Sequence, residues 1–374
     1  MTQETFSVRS HHGSKSTVER AAEAIFTACG FFAVLAVASI TLYMIFSGTP
    51  ALFKVGILDI LFGTLWQPAA ATPSFGILYV ILTSIVGTFL AILIGVPVGV
   101  MTAVFLAEVA PKKLANVVRP AVELLAGIPS VIYGLWGGLV LVPAIYPFWN
   151  WVAKYLGWIP LFAGPAANPS RTVATVAVVL AVMILPIITS MSRDIFLQTP
   201  RLQEEAALAL GATKWEMVKL AVLPFGKSGV VSASMLGLGR ALGETMAVLM
   251  ILSPGLNYSI KLLQASQNQT IAANIAAQYP EANDLGVSVL IGTGLVLFLI
   301  TFVVNFIARK LTENSGISAT MNARAISTRI ARSLRLRAAV KERVGLNLSK
   351  SMTGAPSIGE ALLFTAVITH SLSR

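Results

Sequence analysis

The sequence between residues 205 and 224 reads Glu205-Ala-Ala-Leu-Ala-Leu-Gly-Ala-Thr-Lys-Trp-Glu-Met-Val-Lys-Leu-Ala-Val-Leu-Pro224. This helix-forming stretch belongs to a charged segment, residues 193–228, that we call the polar island and that separates two long apolar runs. Charged side chains are costly inside a bilayer. We therefore expect the polar island to lie outside the membrane and to contact another molecule.

The composition of the whole chain is that of a membrane protein. Of its 374 residues, 56% are hydrophobic and only 11% are charged, whereas soluble domains carry about 25% charged residues. A helix needs about 20 apolar residues to cross the hydrocarbon core. Apolar runs of about this length lie at residues 24–46, 76–107, 120–146, 171–191, 229–252 and 285–306. The sequence predicts an all-α polytopic membrane protein with six transmembrane helices.

The positive charge is concentrated at the carboxyl end. The formal net charge is +11, and residues 309–374 hold eleven Lys and Arg but three Asp and Glu. Such a basic tail favours contact with membrane lipids over nucleic acid. The other Lys and Arg are mostly in the amino-terminal tail, in the turn at 108–119 and in the polar island. By the positive-inside rule, both termini and the polar island are predicted to be cytoplasmic.

The rare residue types exclude several kinds of chemistry. Cys29 is the single cysteine, and the three histidines (His11, His12 and His370) lie near the chain ends. We expect no disulfide framework, no metal site and no His-based catalysis. The sequence also has no Gly-x4-Gly-Lys-Ser/Thr run for binding ATP. We therefore expect neither an enzyme nor a resident cofactor.

Local signals within the polar island predict two short helices. Thr199-Pro200 is a helix start in which the threonine can cap free amides. Gly211 can end that helix and turn the chain. A second helix is expected over 213–220, and Pro224 ends it before the next apolar run. The polar island is thus expected to form a helix–turn–helix across the cytoplasmic face.

This pattern resembles the signature loop of bacterial ABC import permeases. That signature is Glu-Ala-Ala, three residues, Gly, nine residues and Ile-x-Leu-Pro, and Ala221 departs from it by replacing the isoleucine. The resemblance implies a type I (MetI-like) importer fold in which residues 199–226 form the coupling loop that sits in a groove of a separate ATPase dimer. The coupling residues it implies are Glu205, Ala206, Ala207, Gly211, Leu223 and Pro224.

Two charged residues lie within the fifth apolar run. Arg240 is about eleven residues into this run, roughly 17 Å along a helix and near the middle of a membrane. Glu244 is four residues further on, a spacing that permits an ion pair. Arg240 either forms a static salt bridge with Glu244 or faces a translocation path, where a guanidinium suits a tetrahedral oxyanion. The neighbouring Gly237, Gly239 and Gly243 leave room for a helix or a ligand. A third charge, Glu123, is interpreted as structural because Arg119 can pair with it.

Residues 123–137 and 239–248 resemble the PstC-type permease subunit of bacterial phosphate importers. The resemblance covers about residues 20–310 and implies a second homologous permease subunit, an ATPase dimer and a periplasmic phosphate-binding protein. The charged residues Arg240 and Glu244 indicate only a path for an anion, and phosphate is implied by the resemblance alone. Sulfate or molybdate therefore remains an alternative substrate. A secondary anion transporter would use Arg240 and Glu244 equally well, but would have no reason to carry the coupling loop. A membrane protein without transport function is the third alternative.

The predicted organisation follows from these features. Residues 1–20 form a cytoplasmic tail, 21–47 the first transmembrane helix, 48–75 a periplasmic loop, 76–308 the permease domain and 309–374 a basic cytoplasmic tail. Within the permease domain, residues 147–170 contain three tryptophans, together with Pro160 and Pro165, which indicates an interfacial or re-entrant segment. The expected location is the bacterial inner membrane.

Overall fold

The computed structural model of the protein describes residues 17–68, 73–209, 211–253, 261–265 and 269–310. Most of both predicted tails lies outside these residues. The α-helices are α1 (Thr17–Val55), α2 (Ile57–Phe62), α3 (Leu78–Val104), α4 (Lys112–Ala126), α5 (Ser130–Trp136), α6 (Val142–Ala144), α7 (Tyr146–Leu156), α8 (Val173–Phe196), α9 (Arg201–Ala209), α10 (Lys214–Met217), α11 (Leu223–Leu242), α12 (Met246–Ile251), α13 (Ile271–Gln278) and α14 (Asp284–Lys310). Two short strands, β1 (Trp66–Gln67) and β2 (Ser74–Phe75), pair antiparallel.

Several helices join into longer helical segments through π-helical turns. These turns are Phe105–Val109 after α3, Gly137–Leu141 between α5 and α6, and Val218–Val222 between α10 and α11. Single 3-10 turns lie at Pro160–Phe162 and Tyr279–Glu281. The segments 78–109 and 214–242 are therefore continuous helical rods.

The described part of the chain has enough apolar helix for six membrane spans. Five continuous segments are long and apolar enough to cross a bilayer: Glu19–Val55, Leu78–Val109, Val173–Phe196, Lys214–Leu242 and Asp284–Lys310. The pair Lys112–Ala126 and Ser130–Ala144 is bent by 95° and supplies a sixth span if it is counted as one. This architecture confirms the predicted all-α, six-span class.

The centre of the bundle is α8, because small residues on its neighbours allow close approach. A Cβ added to Gly95 or Gly99 of α3 would lie 3.0 Å from Ile184 or Ile188 of α8. On the other side of α8, a Cβ at Gly237 of α11 would lie 3.1 Å from Ile188. Both isoleucines are fully buried. Glycines at these positions let the helix backbones approach closely. In lipid, where the hydrophobic effect does not drive helices together, such close packing is a main source of helix association.

The first helix is longer than its predicted transmembrane part. The sequence predicts residues 21–47 as the span and 48–75 as a loop, but α1 runs to Val55 with Pro50 inside it. The reason is packing, since a Cβ on Gly48 would lie 2.8 Å from the backbone of Gly292 in α14, and Leu52 packs against the same glycine. These contacts keep the chain helical past the predicted boundary.

Candidate functional site

Arg240 lies near the end of α11, where the fifth span breaks. The helix ends at Leu242, and Gly243 closes it. The side chain of Arg240 is half-buried, and its Nε is buried with no hydrogen-bond partner among the described residues. A buried donor without a partner costs about 1–3 kcal/mol, and more when it is charged. An incoming acceptor would remove this cost.

Glu244 does not pair with Arg240, so the static salt bridge, one of the two alternatives that the sequence left open, is not formed. Arg240 is in α11 whereas Glu244 lies within the non-helical residues 243–245, and i,i+4 pairing requires an unbroken helix. Glu244 is only 8% exposed, and its Oε1 accepts a hydrogen bond from the backbone N–H of Ala247 at 3.1 Å. The carboxylate therefore caps the first turn of α12 instead of neutralising the arginine.

The glycines near Arg240 differ in their surroundings: one packs against a helix and the others adjoin open space. Gly237 contacts α8, as described above, and so accommodates a neighbouring helix. A Cβ at Gly239 would meet no heavy atom within 4 Å, and Gly243 is exposed. Open space therefore adjoins the helix at Gly239, the residue before Arg240.

A second broken span packs against this break. The third apolar run, predicted as one span from about residue 120, instead forms α4 and α5 with a bend at Gly127–Pro129. The hydroxyl of Tyr133 donates to the carbonyl of Leu125 at 2.8 Å and so ties α5 to the last turn of α4. A Cβ at Gly134 would lie 3.0 Å from Ala247, so α5 packs directly on α12. Proline disfavours the helical conformation of the residue before it, which accounts for a bend that ends at Pro129, but no sequence pattern pointed to Tyr133.

Glu123 has the partner that the sequence suggested. Its Oε1 accepts from Nε of Arg119 at 2.8 Å, and both side chains are about half exposed. This contact confirms the structural interpretation of Glu123. Arg240 differs from Arg119 in exactly this respect, because its Nε has no acceptor.

The coupling loop lies on the protein surface at the far end of α8. Helix α9 has no buried residue, and Glu205 and Ala206 are exposed. Gly211 follows with φ of +87°, a conformation that L-residues with side chains rarely adopt. Its amide donates to the carbonyl of Leu208 at 2.9 Å, so Gly211 ends the helix as predicted.

The threonine that caps a helix here is not the predicted one. The hydroxyl of Thr199 is buried and has no hydrogen-bond partner in the part of the chain that the structure describes. Thr213 instead forms a capping box with Glu216, in which each side chain accepts from the other residue's backbone N–H. Such a reciprocal pair stabilises the start of α10.

Two of the predicted coupling residues attach the loop to the bundle. Ala207 and Leu223 are half-buried and pack on an apolar cluster that includes Val104 of α3 and Phe196 of α8. Pro224 remains exposed in the first turn of α11. One side of the loop is thus fixed to three membrane helices while the other side is free.

The free side carries apolar side chains. Leu202 is 78% exposed, Leu220 is 69% exposed and Trp215 is 53% exposed. The Nζ of Lys219 lies 5.3 Å above the ring of Trp215, within range of a cation–π contact. Exposed apolar groups rimmed by charge are typical of a protein-interaction surface.

Metal binding finds no support within the described residues. Among them, no group of three or more His, Cys, Asp or Glu side chains could hold a metal ion. The chemically distinct features of the described chain are therefore the broken spans around Arg240 and the exposed coupling loop.

Enough apolar helix for six spans, with one of them bent, is the architecture of a multi-span membrane protein, and the helix end beside Arg240 and the exposed loop are compatible with a permease. Comparison with known proteins agrees: the chain belongs to the family of binding-protein-dependent transport system inner membrane components, whose family model matches residues 95–313. It is thus a multi-span permease subunit of an ABC importer.

Curated relatives include phosphate transport system permease proteins from several bacteria. PstC 2 of Mycobacterium tuberculosis is 45% identical over 241 residues, which are 64% of this chain and 74% of the relative. PstC of Xylella fastidiosa is 42% identical over 296 residues, or 76% and 87% of the two chains. Because these relatives are transport permeases, the prediction that the chain is not an enzyme is confirmed.

Solved structures of ABC transporters give weaker likenesses. A chain of the bacterial alginate ABC transporter in complex with its pentasaccharide-bound periplasmic protein is 18% identical. The match covers 79% of this chain and 99% of that one, with a TM-score of 0.47. A likeness of this strength supports no further argument.

Proposed function

We propose that this chain is one of two homologous permease subunits of an ATP-driven phosphate importer in the bacterial inner membrane. It forms half of the translocation path, a separate cytoplasmic ATPase dimer supplies the energy, and a periplasmic phosphate-binding protein delivers the anion. Both termini and the polar island lie on the cytoplasmic side, in line with the distribution of Lys and Arg. The names of the relatives support phosphate over sulfate or molybdate.

Arg240 is the residue that we place on the path. The observation that carries this role is the buried Nε without an acceptor, next to the open space at Gly239. A guanidinium can donate two parallel hydrogen bonds to a tetrahedral oxyanion. Glu244 contributes indirectly, since it caps α12 and thereby holds the break in shape.

The coupling loop meets the ATPase through its exposed side. Glu205, Ala206, Gly211 and Pro224 form the contact surface, while Ala207 and Leu223 pass the force to the bundle. The helical segment from Lys214 to Leu242 is continuous over 29 residues, about 43 Å at 1.5 Å per residue. Arg240 lies on this segment, so a displacement at the coupling loop has a direct mechanical route to the anion path.

The test uses the chain co-expressed with its partner subunits and reconstituted into proteoliposomes. We expect phosphate uptake that requires the binding protein and ATP hydrolysis, and we expect excess sulfate or molybdate not to inhibit it. Arg240→Gln is expected to assemble normally and to reduce uptake at least tenfold. Arg119→Gln is the matched control, because Arg119 is exposed and paired with Glu123.

Three outcomes would contradict the proposal. Uptake that persists without the ATPase under an ion gradient would indicate a secondary transporter. Inhibition by sulfate or molybdate at concentrations equal to phosphate would indicate a different or broader substrate. Wild-type uptake by Arg240→Gln would remove this arginine from the path.

A further inference from the structure

A short aromatic helix, α7, lies at the end of the bundle opposite to the coupling loop. Nε1 of Trp149 donates to the hydroxyl of Thr175 in the first turn of α8, at 2.9 Å. The coupling loop packs on Phe196 at the other end of α8. The 24 residues of α8 span about 36 Å, enough to cross the hydrocarbon core. Helix α7 therefore packs at the end of α8 that is opposite to the coupling loop.

Helix α7 has three distinct faces. Successive residues are rotated by about 100° in an α-helix, and the core face carries Trp149 and Val152, both buried. Next to it is an aromatic face with Phe148, Trp151 and Tyr155, each more than half exposed. The third face is polar and carries Asn150 and Lys154, both exposed.

The aromatic face is a continuous ladder. The rings of Phe148 and Trp151 stack with centroids 6.3 Å apart, and those of Trp151 and Tyr155 are 5.4 Å apart. The Nζ of Lys154 lies 5.6 Å from the centre of the Tyr155 ring, so the cation sits at the edge between the aromatic and polar faces. Trp158, which follows the helix, is 79% exposed.

We propose that the aromatic face of α7 lies in the lipid headgroup region and that Lys154 pairs there with lipid phosphate. An 11-residue helix is too short to cross the membrane, whereas a helix with apolar and basic polar faces is suited to the interface plane. Trp and Tyr are enriched at that level. The span that precedes α7 also exposes apolar side chains, Leu139 and Val140.

Charge supports lipid over a protein partner as the occupant. Residues 145–172 contain Lys154 and Arg171 but no Asp or Glu. Phosphate groups are present throughout an anionic or zwitterionic headgroup layer, so the basic side chains of this segment can pair with them. With its core face fixed on α8 and its aromatic face in lipid, α7 anchors the outer end of the central helix. This role does not depend on which anion the permease carries.

Site-directed spin labelling tests this placement in the full-length chain, with and without its co-expressed partner subunits, in nanodiscs of phosphatidylethanolamine and phosphatidylglycerol. In a Cys29→Ser background, labels are introduced by Trp151→Cys and Tyr155→Cys on the aromatic face. Asn150→Cys is the water-facing control and Leu139→Cys the lipid-facing control. Collisions of each label with oxygen, which enters lipid, and with a water-soluble nickel chelate are then measured.

We expect the aromatic-face labels to collide severalfold more with oxygen than with the nickel chelate, at a depth shallower than Leu139→Cys. Adding Lys154→Glu is expected to shift the Tyr155→Cys label toward water. Strong collisions with the nickel chelate would show a water-facing helix and overturn the proposal. Few collisions with either reagent would show that the aromatic face is covered by protein, either within this chain or, if seen only with the partner subunits present, by one of them. Both results would overturn the proposal. An unchanged depth in the Lys154→Glu variant would refute the lysine–phosphate contact.

Discussion

The carboxylate of Glu244, in the non-helical residues after α11, accepts a 3.1 Å hydrogen bond from the backbone amide of Ala247 in the first turn of α12. This contact gives Glu244 a structural partner and leaves Arg240 without a carboxylate. Arg240 is therefore positioned by the backbone of α11, and its guanidinium Nε has no acceptor among the described residues. An arginine neutralised by a neighbouring glutamate would first have to lose that partner before binding an anion.

The capping role of Glu244 predicts that its amide isostere is tolerated. Glutamine keeps an oxygen acceptor for Ala247, so Glu244→Gln should unfold at nearly the wild-type temperature. Glu244→Ala removes the acceptor and should cost about 1 kcal/mol, as for other helix caps. Thermal unfolding of the purified permease complex measures both. Equal destabilisation by the two variants would mean that the charge, rather than the cap, is required.

The open space at Gly239 predicts a loss of transport without a loss of assembly. A leucine there meets no neighbouring atom within 4 Å of its Cβ and is a better helix former than glycine. Gly239→Leu should therefore assemble normally but obstruct the path beside Arg240, reducing ATP-driven uptake at least tenfold. Gly237→Leu is the control, because a Cβ there already lies 3.1 Å from Ile188. It should reduce assembly itself, as seen by yield in size-exclusion chromatography. Normal uptake by Gly239→Leu would place the path elsewhere.

The hydrogen bond from Tyr133 to Leu125 predicts a measurable role in holding the bend between α4 and α5. Tyr133→Phe keeps the buried ring and removes only the hydroxyl. In a Cys29→Ser background, spin labels introduced by Leu124→Cys and Ile132→Cys, both at exposed positions, report the separation of the two half-helices. We expect a broader distance distribution in Tyr133→Phe than in the tyrosine-containing chain. An identical distribution would show that the backbone at Gly127–Pro129 fixes the bend alone.

The sequence predicted the spans and the turn at Gly211 because both rest on local signals. Runs of apolar residues indicate spans. Glycine is the residue that most readily adopts a positive φ, so Gly211 indicated a turn at the position where the structure has one. Pro224, which was expected to end the second short helix, instead lies inside the continuous segment Lys214–Leu242, because proline is tolerated in the first turn of a helix. The salt bridge between Arg240 and Glu244, which the sequence left open, is not formed because the spacing rule assumes a continuous helix, whereas α11 ends at Leu242. Tyr133 was missed because its partner is a backbone carbonyl eight residues away. Carbonyl acceptors are present at every residue and leave no trace in the sequence.

The conformation of Gly211 leads to the last prediction. No atom lies within 4 Å of a Cβ built there, so only the backbone φ of +87° restricts the residue. Asparagine enters the left-handed region more readily than other side chains, whereas a β-branched residue there is a genuine outlier. Gly211→Asn should therefore retain most of the association with the ATPase, and Gly211→Val should weaken it severalfold while the chain remains inserted in the membrane. Co-purification of the ATPase with each variant measures this. If the two variants behave alike, whether both bind or both fail, the turn at Gly211 is not what presents the coupling loop.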